Sequence, residues 1–77
     1  MAIFAKGDRV RFGAEVMVNE LFGIAGIIER RRVRDGHYIY DIRLGVHLNL
    51  PSPLIGGMQL ISNLLTAVPS SWLELES

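Results

Sequence analysis

Arginine is the residue type with the most recognition chemistry to offer in this chain. Arg30, Arg31, Arg32 and Arg34 fall within five consecutive positions, and Arg9, Arg11 and Arg43 lie outside that run. A guanidinium group holds phosphate or carboxylate through forked, charge-assisted hydrogen bonds. Arg9, Arg11, Arg30, Arg32 and Arg34 are therefore the candidate contacts for a nucleic acid, with Tyr38 and Tyr40 as the platforms on which bases would stack. Two features weigh against that reading. Strict alternation sends successive arginines of the run to opposite faces of a strand, and Glu29, Asp35 and Asp41 stand beside them. The whole chain carries eight basic and eight acidic residues, so its formal net charge is zero, whereas a field that draws in nucleic acid needs a clear positive excess. A solvated hairpin tip, whose charges discourage pairing with other sheets, accounts for the run as well.

Other chemistry is sparse. Cysteine is absent, which removes disulfides and thiolate metal sites together. Two histidines, His37 and His47, do not make a zinc site without carboxylates or a second subunit. No Ser, Asp or Glu is spaced to orient either histidine as a general base. Glu74 and Glu76 alternate with Leu73 and Leu75 and mark the wet face of a strand. Gly56-Gly57 lacks the strand, helix and lysine of a phosphate cradle. The expectation is no catalytic set, no metal and no cofactor; an enzyme would have to assemble its site at a symmetry axis between copies.

The elements that position these residues follow from periodicity. The stretch Gly23 to Leu44 reads as a β-hairpin: Ile24, Ile27 and Ile28 lead in, and Asp35-Gly36 reverses the chain. On return, Tyr38, Tyr40, Ile42 and Leu44 share one face, with Ile39, Asp41 and Arg43 on the other. An Asp-Gly pair between two alternating runs is a strong hairpin signal. Upstream, Val10 and Phe12 alternate with Arg9 and Arg11 in a short strand after a Gly7-Asp8 turn. Gly23 and Gly26 suggest a bend or a close backbone approach. Downstream, Leu64 to Val68 is a strand, Pro69 to Trp72 a one-turn 3₁₀ connection with Trp72 plugging the core, and Leu73 to Leu75 a terminal strand with both leucines inward.

Residues 45–62 do not fit a solvated loop. Val46, Leu48 and Leu50 alternate as a strand would, Pro51 and Pro53 forbid a central strand, and Leu54, Ile55, Met58, Leu60 and Ile61 follow. Either this insertion folds back as a lid on its own domain or it buries itself against a partner. A chain of 77 residues forms a single domain (1–77), and one this short buries only about 60% of its unfolded surface. With 49% hydrophobic residues, some apolar surface is expected to be covered by association.

Five short strands, the last two joined by one tight turn, suit a small closed barrel. The order of elements resembles the SH3-like barrel. The match rests on Lys6-Gly7-Asp8-Arg9-Val10, the Gly23–Gly26 lead-in, Tyr38-Ile39-Tyr40-Asp41-Ile42 and the ending Val68-Pro69-Ser70-Ser71-Trp72-Leu73-Glu74-Leu75. The opening Gly-Asp-Arg-Val is similar to that of KOW-type barrels and of type II dihydrofolate reductases. The reductase family's Val-Gln-Ile-Tyr run would align with Leu65-Thr66-Ala67-Val68, which lacks the glutamine and the tyrosine, and Phe12 stands where that family has a functional lysine. The resemblance therefore implies the scaffold without that activity.

The expectation is thus an all-β, five-stranded SH3-like barrel with a 3₁₀ turn before the last strand and a long apolar insertion between strands three and four. Its expected role is a non-catalytic binding or assembly module, as a homo-oligomer or with a protein partner, through Leu48, Leu50, Leu54, Ile55, Met58, Leu60 and Ile61. No run approaches the roughly 18 apolar residues of a membrane span, and the first residues lack a signal-peptide core, so no membrane partner and a cytoplasmic location are expected.

Overall fold

The computed structural model describes residues 3–50, 54 and 57–76. Its strands are β1 (Arg9–Phe12), β2 (Ala25–Arg34), β3 (His37–Leu44), β4 (Gln59–Ile61), β5 (Leu64–Pro69) and β6 (Leu73–Leu75). Single 3₁₀ turns lie at Asn19–Leu21 and Ser70–Trp72. All pairings are antiparallel, and the sheet order is β4-β5-β3-β2-β1-β6.

The long β2–β3 hairpin forms for the reason its sequence suggests. Asp35 and Gly36 both take positive φ, at 52° and 77°, as a two-residue turn matching the strand twist requires. Inward residues alternate as expected: Tyr40, Ile42 and Leu44 are buried with Ile28, Val10, Phe12, Leu65, Val68 and Trp72 in one core. Tyr40 meets Phe4 edge-on at 5.5 Å between ring centroids, and its hydroxyl accepts the Phe4 backbone N–H at 2.9 Å. Gly26 is where two strands approach closely: a Cβ there would stand 2.6 Å from Ile42 Cγ2 and 2.8 Å from the Arg43 carbonyl oxygen.

The sheet differs from expectation in two ways. It has six strands rather than five, and it does not close into a barrel. One cause accounts for both: the insertion contributes its own strand, β4, which pairs with β5 through Gln59↔Thr66, Leu60↔Leu65 and Ile61↔Leu64. That strand occupies the side of β5 that closure would use, so β4 and β6 end the sheet as its two edges. Within the insertion, the alternation of Val46, Leu48 and Leu50 does not make a strand; β3 stops at Leu44 and 47–50 is irregular. Leu73 is buried, but Leu75, on the inward face of an edge strand, is 60% exposed. No helix among the described residues is long and apolar enough to cross a membrane.

Candidate functional site

Register decides which side chains share a surface. Rows of paired residues place Arg9 beside Ile27, Ile27 beside Arg43, Arg43 beside Leu64, and Leu64 beside Ile61. Paired residues point to the same side of a sheet, so this row crosses five strands on the face away from the core. An irregularity between Ile28 and Arg30 inserts one extra residue in β2. With Glu29 taken up in that bulge, Arg30, Arg32 and Arg34 pair with Asp41, Ile39 and His37 and stay on the outer face with Arg9 and Arg11. All five arginines singled out from the sequence therefore share one face, where Arg43 of β3 makes a sixth, while Arg31 turns to the other side, over the Tyr38 ring at 4.9 Å.

That face is partly neutralised from within. Arg11 pairs with Glu74 at 2.8 Å, Arg32 with Asp41 at 2.7 Å, and Arg43 with Glu29 at 2.6 Å. Arg43 also donates from Nη1 to Asn63 Oδ1 at 2.9 Å. The guanidinium groups of Arg9 and Arg30 make no hydrogen bond or ion pair with the described residues. Asp41 is the residue whose role sequence alone does not reveal. It lies on the outer face yet is only 7% exposed, because Arg32 covers it and the Ala67 backbone N–H donates to its Oδ1 at 3.2 Å. Ala67 takes a positive φ of 60° where the β3–β5 ladder also shifts register, and the Asp41 carboxylate serves the N–H that this shift would strand.

The stacking platforms are not on this face. Tyr40 is fully buried, and Tyr38 packs against the core from the opposite side. Between Arg9, Ile27, Arg43, Gly45, Asn63 and Glu76 the outer face instead holds a shallow cleft of about 250 Å³, and Ile27 in its lining is 43% exposed.

The insertion mostly serves its own chain. Met58 is 5% exposed, and Leu48, Leu50, Leu54 and Leu60 pack, half-buried, against the same core. Ile55 lies outside the described residues. Of the expected contact residues that are described, Ile61 alone points fully outward, at 59% exposure. It sits on β4, whose far side meets no strand among the described residues. In a two-residue hairpin the closing pair, here Ile61 and Leu64, exchanges both hydrogen bonds, so the next residue, Leu60, directs its N–H and C=O away from β5.

Among the described residues no three His, Asp or Glu side chains converge as metal ligands would; His37 and His47 are both exposed. What the geometry defines is a small all-β chain with two notable surfaces, a neutral edge at β4 that meets no further strand among the described residues and an arginine-bearing face. No protein-family model matches the chain, and no curated protein or solved structure matches it either.

Proposed function

We propose that this chain is a non-catalytic assembly module that self-associates through the insertion, by pairing β4 with β4 of a second copy. The observation that carries this reading is the undefended edge. Unpaired strand edges template pairing with another chain, and proteins that must avoid it place charges, proline or bulges there. β4 is Gln59-Leu60-Ile61, with no charge, no proline and no shift in its ladder. The opposite edge, β6, carries Glu74 with Glu76 beyond it, so two copies meeting there would juxtapose carboxylates. Packing Met58 and its leucines on the core gives β4 a fixed position, and an ordered edge is what strand pairing needs. The same proposal accounts for the scaffold: the order β6-β1-β2-β3-β5 with a 3₁₀ turn before β6 fits an SH3-like barrel opened by the β4 addition.

Light scattering across a concentration series tests this reading. The wild-type chain should show a discrete dimer step, and the Ile61→Lys chain should lack it. Superimposable mass curves for the two would remove the reading.

One observation favours a second reading: the five arginines share a face, which suits a phosphate backbone. With Arg9 and Arg30 the two that have no described partner, about two phosphates would be neutralised, and oligonucleotide affinity would fall about tenfold between 50 and 200 mM salt. A labelled oligonucleotide that shows no binding at 50 mM salt eliminates it.

A further inference from the structure

The cleft on the outer face owes its space to two small residues. Ala25 and Gly45 both line it and lie side by side, the Gly45 N–H donating to the Ala25 carbonyl at 3.0 Å, so almost no side chain fills this part of the surface. Ile27 adds an apolar patch, 43% exposed. The volume of about 250 Å³ exceeds the roughly 150 Å³ that accepts benzene and falls below the roughly 300–1,000 Å³ of sites for drug-sized molecules. The space suits one small ligand.

The charged groups of the lining fall into two sets. Arg43 is already committed: its Nε donates to Glu29 Oε1 at 2.6 Å and its Nη1 to Asn63 Oδ1 at 2.9 Å, while Asn63 Nδ2 donates to the Leu44 carbonyl at 3.2 Å. That network makes Arg43 and Asn63 a held, neutral wall. Arg9 and Glu76 are different. The Glu76 N–H donates to the Arg9 carbonyl at 3.0 Å, which continues the β1–β6 ladder one step beyond Val10↔Leu75. Two residues along that ladder, Arg11 and Glu74 stand in the same relation and close an ion pair at 2.8 Å. Arg9 and Glu76 do not, and neither the guanidinium nor the carboxylate has a partner among the described residues. Both line the cleft. One free cation and one free anion therefore border a single apolar surface, and the site as a whole is neutral.

We propose that this cleft binds a small zwitterion with an apolar side chain, an apolar α-amino acid. Its carboxylate meets Arg9, its ammonium meets Glu76, and its side chain lies against Ile27. A simple carboxylate or amine of the same size satisfies only one of the two free groups and faces the other with like charge, which selects against it. Exposed charge pairs each contribute little, so the expected dissociation constant is on the order of 1 mM. The site is separate from the β4 edge, and its occupancy does not depend on the β4 pairing.

A nuclear magnetic resonance titration of the full chain tests this, read at the backbone amides of Ile27 and Gly45. The probes are L-leucine, leucinamide, which lacks the carboxylate, and 4-methylpentanoate, which lacks the ammonium. At about pH 6.5 leucinamide still carries its ammonium. Leucine should saturate both amides with a dissociation constant on the order of 1 mM, and each analogue should bind about threefold or more weakly. This comparison needs no substitution, so it stands whether or not a variant folds. Two exposed polar exchanges then assign the groups. Arg9→Gln should abolish the preference for leucine over leucinamide and keep that over 4-methylpentanoate; Glu76→Gln should do the reverse. Amides that do not move up to about 20 mM leucine, roughly twentyfold the expected constant, overturn the proposal. Equal affinity for leucine and its two analogues also overturns it, because the cleft would then be merely apolar. So do variants that weaken all three probes alike.

Discussion

Replacing Met58 with alanine separates the two fates open to an apolar insertion, capping its own core or burying itself on a neighbour. Met58 is 5% exposed within a single chain, so its side chain should stabilise the monomer. Met→Ala in a core costs about 2–5 kcal/mol, depending on how far the site collapses. Here Leu48, Leu50, Leu54 and Leu60 of the same insertion pack only half-buried against the core and leave it room to relax, which puts the loss near the lower end, about 2–3 kcal/mol. For a domain of this size each kcal/mol moves the melting temperature by about 4–8 °C, so a fall of roughly 10–20 °C follows. The assay is thermal and urea unfolding, followed by the near-ultraviolet signal of Trp72, in the Ile61→Lys chain at micromolar concentration, so that unfolding is unimolecular. A loss under about 0.5 kcal/mol would refute the reasoning. A loss that appears only at high protein concentration would do the same, because the methionine would then be covered by a second molecule.

Three further substitutions probe the scaffold. Gly26→Ala should cost about 1–3 kcal/mol in urea unfolding, since its Cβ would meet the Arg43 carbonyl oxygen at 2.8 Å and backbone cannot step aside as a side chain does; a neutral result would mean the β2–β3 spacing is wrong. Asp41→Ala should cost about 1–3 kcal/mol by leaving the Ala67 N–H without its acceptor and Arg32 without its carboxylate, and amide exchange at Ala67 should speed up while that at Ile28 does not. Ser62→Gly should raise stability by about 0.5–1 kcal/mol: Ser62 holds φ at 58°, where a side chain costs about 1–2 kcal/mol, more than the extra chain entropy of glycine at about 0.5–1 kcal/mol. A destabilised Ser62→Gly chain would argue against that turn.

The parts of this fold that were legible in the sequence are those where local chemistry and burial agree. The Asp35-Gly36 turn, the alternation of Tyr40, Ile42 and Leu44, the Pro69–Trp72 connection and the close approach at Gly26 each carry a residue whose type fits one conformation. β4 carries no such mark. It is three residues long, it follows two prolines and two glycines, and its turn to β5 runs through Ser62-Asn63, with a left-handed serine where a glycine would have announced a hairpin. Without β4 the sequence reads as a closed five-stranded barrel; with it the sheet has six strands and stays open. The surface was harder still. That the arginines share a face depends on the Glu29 bulge, which nothing in Ile28-Glu29-Arg30 signals, and the burial of Asp41 depends on a second irregularity near Ala67, 26 positions away. The insertion was recognisable as too apolar for solvent, but whether its leucines face their own core or another chain is a question of tertiary geometry. All four, Leu48, Leu50, Leu54 and Leu60, pack half-buried against their own core, and the outward residue, Ile61, sits on the strand that alternation does not reveal.

The most direct test of self-association through β4 is amide hydrogen exchange at Leu60 as a function of protein concentration. Its N–H points away from β5, on the side where no strand lies among the described residues, and a paired edge would cover it. The account predicts that Leu60 exchanges about tenfold or more slowly in the concentrated wild-type chain than at hundredfold dilution, and that Ile61→Lys abolishes the difference. An exchange rate at Leu60 that is the same at both concentrations would contradict it.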